Sequence, residues 1–148
     1  MEAVSELKHN KIIHVFGSTG GHRDISKREI FGRTSAEFAD HIIVTNDDVY
    51  DSDPEEIARS IELGIKQQIS QSAGQLISKS ANRQVKYEII LDRKEAVTTA
   101  ISKAEKGDLV LITGKGSEQF LVLPGNKRIE WDDREVVRSV LKQVNSEK

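Results

Sequence analysis

Three short apolar runs, each ending in a loop dense with glycine and charge, constrain this chain more than any other feature. Ile12–Phe16 runs into Gly17-Ser18-Thr19-Gly20-Gly21-His22-Arg23-Asp24, Ile42–Thr45 into Asn46-Asp47-Asp48-Val49-Tyr50-Asp51, and Leu109–Thr113 into Gly114-Lys115-Gly116-Ser117-Glu118. A strand, a polar loop and then a helix is the repeating unit of a parallel α/β sheet. Ligands of such sheets bind beyond the carboxyl ends of the strands, where these loops gather. Function is therefore sought in the loops.

The remaining elements follow from periodicity and capping chemistry. Strands are expected at Lys11–Phe16, His41–Thr45, Val85–Leu91 and Leu109–Thr113, the last a nearly continuous apolar run of the kind found at a sheet centre. Ser26 with Glu29 forms a capping box, and Ile30, Phe31, Thr34 and Phe38 then recur at helical spacing. Gly32 inside that helix suits close packing on the sheet. Asp53 is an N-cap with Pro54 at the first helical position, and Ile57, Ile61, Ile65 and Ile69 follow at intervals of four. Ser70–Asn82 reads as a helix end and an exposed connection, and Val4–Lys8 as the tail of a helix. Asp92 with Glu95 caps a helix whose stripe is Ala96, Val97, Ala100, Ile101 and Ala104. Gln119–Leu123 and Lys127–Trp131 flank Pro124-Gly125-Asn126 as a β-hairpin, and Asp132 with Glu135 caps a last helix carrying Val136, Val137, Val140 and Leu141. The 148 residues show no internal repeat and no linker, so one mostly parallel α/β domain is expected.

Composition removes several function classes. With 22 basic and 24 acidic residues the formal charge is −2, which gives no general attraction to nucleic acid or to an anionic membrane. The chain has no cysteine, hence no disulfide framework and no thiolate chemistry. Histidines at 9, 14, 22 and 41 do not pair at helical spacing, so no metal site is expected. No run reaches the roughly 18 apolar residues of a membrane span. The N-terminus is acidic where a signal peptide is basic, so a cytoplasmic location is the expectation.

Each loop has a plain reading beside a functional one. The first is either a tight βα turn or an anion cradle, in which Gly20 and Gly21 turn backbone N–H groups toward a ligand and Arg23 clamps a carboxylate. The second, with Asp47, Asp48, Asp51 and Asp53, is either one cap and three solvated acids or a site for an ammonium group or a divalent ion. It lacks the glycine and terminal glutamate of an EF-hand. The third puts Lys115 and Glu118 at a strand end, as a turn with surface charges or as binding groups. It is not a Walker A loop, because the upstream glycine is missing. Trp131 reads as a packing residue rather than a stacking platform.

Taken together the motifs resemble the Mur ligases. Val15-Phe16-Gly17, Gly20-Gly21-His22-Arg23-Asp24, Lys27-Arg28 and Gly32 are similar to that family's run after its first C-terminal-domain strand. Thr113–Glu118 resembles its "GKGHE", and Ile129–Val136 its "DDREV" ending. The resemblance runs from about Lys11 to Leu141 and is nearest to the tripeptide synthetase branch, matching only the C-terminal domain. It implies a Rossmann-like three-layer domain, mostly parallel with a C-terminal antiparallel β-hairpin, that holds an incoming amino acid and closes over an ATP site elsewhere. It implies a reaction in which ATP phosphorylates the terminal carboxyl of UDP-N-acetylmuramoyl-L-alanyl-D-glutamate and the amino acid's amine displaces phosphate. ATP and Mg²⁺ would be bound mainly by a central domain.

Position by position, the resemblance makes Arg23 a carboxylate clamp and sets Gly114 and Glu118 against the far end of the amino acid's side chain. The family's "DNPR" falls on Asp47-Asp48-Val49-Tyr50, so its asparagine becomes Asp48 and its arginine Tyr50. That departure favours L-lysine or another basic amino acid over diaminopimelate, with Asp47, Asp48 and Tyr50 in the substrate site. Gly20, Gly21, His22, Lys27, Arg28 and Lys115 are candidate anion-facing or nucleotide-facing residues. Ser117 stands where the family has histidine. No catalytic residue is assigned to this chain alone. It reads as a domain excised from a larger enzyme, inactive by itself, with no nucleic-acid or membrane partner. The alternatives are a stand-alone module binding an anion or amino acid, and the C-terminal domain of a folylpolyglutamate synthetase-type enzyme.

Overall fold

The computed structural model describes residues 7–21, 25–74 and 83–147. Four parallel strands, β1 (Ile12–Phe16), β2 (His41–Val44), β3 (Lys86–Ile89) and β4 (Leu109–Ile112), form a sheet in the order β3-β2-β1-β4. Between them run the helices α1 (Ser26–Phe38), α2 (Pro54–Gly74) and α3 (Arg93–Lys103). After β4 the chain forms a separate antiparallel hairpin, β5 (Phe120–Leu123) and β6 (Lys127–Glu130), and ends in α4 (Asp133–Ser146). The α/β architecture with its terminal hairpin is the one expected.

Side-chain alternation along the strands builds two cores. Ile12, Phe16, Ile42 and Val44 pack against Ala36 of α1 and Ile57, Ala58, Ile61 and Ile65 of α2. Ile13, Val15 and Ile43 face the other way, onto Ala96, Val97 and Ala100 of α3 and, more loosely, Val136 and Val137 of α4. Helices thus cover both faces, as a parallel sheet requires. The caps expected at Asp53, Asp92 and Asp132 are present. Asp53 Oδ1 accepts from the Glu55 N–H at 2.9 Å, Asp92 Oδ1 from Glu95 at 2.8 Å and Asp132 Oδ1 from Arg134 at 2.9 Å.

The structure corrects the sequence reading at several points. The Leu109–Thr113 run is not central: β4 pairs with β1 alone, at the edge of the four-stranded sheet. The central strand is β1, buried along its whole length. Ser26 is the first helical residue of α1, and Ile25 before it makes no side-chain cap. The buried face of α1 is Arg28, Gly32, Ser35 and Ala36, whereas Ile30 and Phe31 are 52% and 45% exposed. Small residues win that face because α1 crosses α2 at very short range. A Cβ on Gly32 would run into the Ile61 carbonyl oxygen, and one on Gly64 into that of Glu29. Gly32 therefore serves a helix–helix crossing rather than helix–sheet packing. Of Val4–Lys8, residues 4–6 lie outside the described residues, as do 75–82 of the Ser70–Asn82 connection.

Candidate functional site

Because β1 lies between β2 and β4, the chain turns one way after β1 and the other way around β4. A crevice opens at such a switch point. The loops after β1, β2 and β4 all leave this end of the sheet, and a network of buried charges ties them together.

Lys115 is its hub. Its side chain is 1% exposed, and Nζ donates to Asp48 Oδ1 at 2.5 Å with Asp47 Oδ1 at 3.6 Å. The same Asp48 oxygen accepts the Val122 N–H at 2.8 Å, while Asp47 Oδ1 accepts the Asp48 N–H at 2.8 Å. The Val49 N–H donates to the Val122 carbonyl at 2.9 Å. The β2 loop, the β4 loop and the hairpin are thereby one unit. Gly114 permits it: its φ of +110° is open to glycine, and a Cβ there would sit 2.8 Å from Asp47 Oδ2. Tyr50 is left-handed too, with φ of 51°, a strained conformation for a bulky residue.

A second hub lies beneath the first. Arg93, buried at the start of α3, holds Asp133 with two bonds, Nε to Oδ1 at 2.9 Å and Nη2 to Oδ2 at 2.7 Å. It also donates to the carbonyls of Asn46 at 3.0 Å and Thr113 at 3.1 Å, the residues from which the second and third loops depart. The Trp131 indole N–H donates to Asp133 Oδ1 at 2.8 Å. A planar guanidinium meets two carbonyls and a carboxylate at once, which a lysine does not.

This geometry revises several assignments. Asp47 and Asp48 are not free acids waiting for an ammonium group, since Lys115 already supplies one. Lys115 turns inward and does not face an external anion. The Gly20 N–H donates to the Asp48 carbonyl at 2.7 Å and the Gly21 N–H to Ser52 Oγ at 2.7 Å, so the supposed cradle has spent both donors inside the fold. Arg28 is buried and donates to the Thr19 carbonyl at 3.3 Å, holding the first loop from below. Lys27, Gly114 and Glu118 are exposed, and Tyr50 is half-buried. Glu118 Oε2 accepts the Gly116 N–H at 3.2 Å, which tucks the loop under the carboxylate. His22 and Arg23 lie outside the described residues.

A family model for the Mur ligase, glutamate ligase domain matches residues 1–116. The chain belongs to the Mur ligase family. A UDP-N-acetylmuramoyl-L-alanyl-D-glutamate--2,6-diaminopimelate ligase of Caldanaerobacter subterraneus subsp. tengcongensis is 37% identical over 141 residues, covering 95% of this chain and 26% of the relative. That of Geobacillus kaustophilus is 36% identical over 143 residues, covering 97% and 26%. A solved structure of a ligase of the same name superposes with a TM-score of 0.76 at 26% identity, covering 97% of this chain and 26% of that one. The chain thus spans about a quarter of the length of these relatives.

Within this Mur ligase domain, Arg93 and Asp133 support the loops from below, a role the sequence reading did not give them. Arg93 carried a signal: a cation at the first position of a helix opposes the helix dipole, so it needs another purpose. Asp133 lies within the Ile129–Val136 match but was given no role of its own, because the adjacent Asp132 accounts for the cap. Among the described residues no group of three His, Cys, Asp or Glu is placed to hold a metal ion, and no helix is long and apolar enough to cross a membrane.

Proposed function

We propose that this domain holds the incoming amino acid in an ATP-dependent ligase that adds the third residue to UDP-N-acetylmuramoyl-L-alanyl-D-glutamate in peptidoglycan synthesis. The observation that carries the reading is the locked pair of loops. Lys115 and Arg93 pin the segments after β2 and β4 to one another, leaving Tyr50, Gly114 and Glu118 at their outer surface. Rigid support beneath exposed polar groups is what positioning an amine nucleophile demands. The activities for which the relatives are named support the reaction class. Arg23 is the proposed clamp for the amino acid's α-carboxylate, on the resemblance alone.

The Gly20 and Gly21 amides and Lys115 are committed internally, which supports a nucleotide and magnesium site formed mainly elsewhere. ATP and Mg²⁺ are assigned to parts of the enzyme beyond this domain, and the 148 residues alone are expected not to form amide bonds.

The substrate reading now rests on fewer residues. Asp47 and Asp48 shape the loop instead of binding an ammonium group. What remains is Glu118, an exposed acceptor, and Tyr50 where the family motif has arginine. A site with an acceptor and no cation at that position favours a side chain ending in ammonium, so lysine or another basic residue is our reading. The relatives' names favour diaminopimelate as the second reading. Phosphate release by the full-length enzyme with lysine, ornithine or diaminopimelate, in the presence of ATP and the nucleotide dipeptide, separates them. A lower KM for lysine is expected, and a diaminopimelate KM about tenfold below that of lysine, worth about 1.4 kcal/mol, would reverse the choice.

A further inference from the structure

β1 is the most buried strand of the sheet, yet its central residue is a histidine. His14 is 4% exposed. Its ring stacks on Phe16 with centroids 4.5 Å apart and meets Phe38 at 5.1 Å. Nδ1 lies 2.7 Å from Ser35 Oγ on α1, and Nε2 lies 2.9 Å from Thr113 Oγ1 at the end of β4. Burial lowers the ring's pKa to about 4, so it is neutral near pH 7. A neutral ring has one donor and one acceptor nitrogen. Whichever nitrogen holds the proton, one hydroxyl accepts from the ring and the other donates into it.

Thr113 is the last residue before the exposed loop. Its N–H donates to the Val15 carbonyl at 3.0 Å, and its carbonyl accepts from Arg93 on the opposite face of the sheet. Its side chain is β-branched, with a stiff χ1, and His14 fixes it from the α1 side. The next residue, Gly114, makes the left-handed turn that sends Lys115 to Asp48 and leaves Glu118 outside. The need for a clamp here follows from topology. β4 is paired on one side only, and a cavity of about 270 Å³ lined by His14, Phe16, Gly17, Phe31, Phe38 and Gly114 leaves the strand end unsupported by packing on the α1 face.

We propose that His14 is a positioning residue for the amino-acid site, acting through Thr113 to set the course of the 114–118 loop. The role rests on the reading that this loop meets the amino acid. It does not make His14 catalytic.

The test is steady-state kinetics of the full-length ligase, with KM for the amino acid, KM for ATP and kcat read separately. H14F keeps a ring to stack on Phe16 and removes both hydrogen bonds. T113V keeps the shape of the threonine and removes the hydroxyl. Each is expected to raise the amino-acid KM about tenfold, the scale of one or two lost hydrogen bonds, with ATP KM and kcat within about twofold. The double variant is expected to be no worse than either single one, because both cut the same link. H14Q, which can still donate and accept, is expected to recover most of the loss. An unchanged amino-acid KM in H14F and T113V overturns the role. So does a fall in kcat matched by a loss of folded protein on thermal unfolding and not recovered by H14Q. E118Q in the same assay separates the two claims. If it too leaves the amino-acid KM unchanged, the reading of the loop fails; if it raises that KM while H14F does not, only the role of His14 fails.

Discussion

His14 makes the stability of this domain depend on pH between about pH 7 and 5, above the range in which most carboxylates titrate. Its folded pKa is about 4 because burial disfavours the imidazolium, against 6.5 for the ring in an unfolded chain. Well above pH 6.5 both states are neutral and the residue contributes no pH dependence. As pH falls below 6.5 the unfolded chain takes up a proton that the folded one refuses, so stability falls until the folded ring titrates near pH 4. Linkage puts the loss at about 2 kcal/mol by pH 5 and about 3 kcal/mol by pH 4. His41 is lowered as well, first by burial and then by the charge of Lys103, and acts in the same direction. The assay is urea unfolding of the 148-residue chain at pH 7 and pH 5, for the wild type, H14Q and H41Q. H14Q should lose about 2 kcal/mol less than the wild type over this interval, and H41Q a smaller difference. Wild-type and H14Q curves that fall in parallel would refute the reasoning, because they would mean that the ring titrates normally in the folded state.

Two further substitutions probe the framework. Gly32→Ala or Gly64→Ala forces the α1–α2 crossing apart and should destabilise by about 1–3 kcal/mol, read as a Tm several degrees lower, on the order of 3 °C per kcal/mol for a chain of this size. Lys115→Met leaves the buried Asp48 without its cation and should cost about 3–5 kcal/mol in urea unfolding, with much of the loss recovered in the double variant Lys115→Met/Asp48→Asn.

What the amino-acid sequence discloses about this domain is what is encoded locally. Asp53, Asp92 and Asp132 declare the starts of their helices because a capping carboxylate and its N–H partner are two or three residues apart. The isoleucines of α2 declare its buried face because their spacing matches the helical repeat. The site itself is assembled over long separations. Lys115 and Asp48 are each plausible surface charges until the fold brings them together, and the same holds for Arg93 and Asp133. Once paired, Lys115 and Asp48 change meaning, from candidate ligand-facing groups to a buried scaffold that ties two loops together. The apolar content of β4 was misleading for a similar reason. Its hydrophobicity reports partial burial against the cores on both faces, and does not reveal that only one edge is paired. On α1, the glycine at 32 outweighed the larger apolar residues because a close helix crossing rewards the smallest face.

In the proposed function the outer surface of the 114–118 loop receives the amino acid. The most direct test is the effect of Glu118→Gln on the full-length ligase, with amino-acid and ATP saturation measured separately. Removing a charge-assisted hydrogen bond to the substrate should raise the amino-acid KM about tenfold or more while the ATP KM stays within about twofold. An ATP KM that rises with the amino-acid KM unchanged would contradict the account and place the loop at the nucleotide instead.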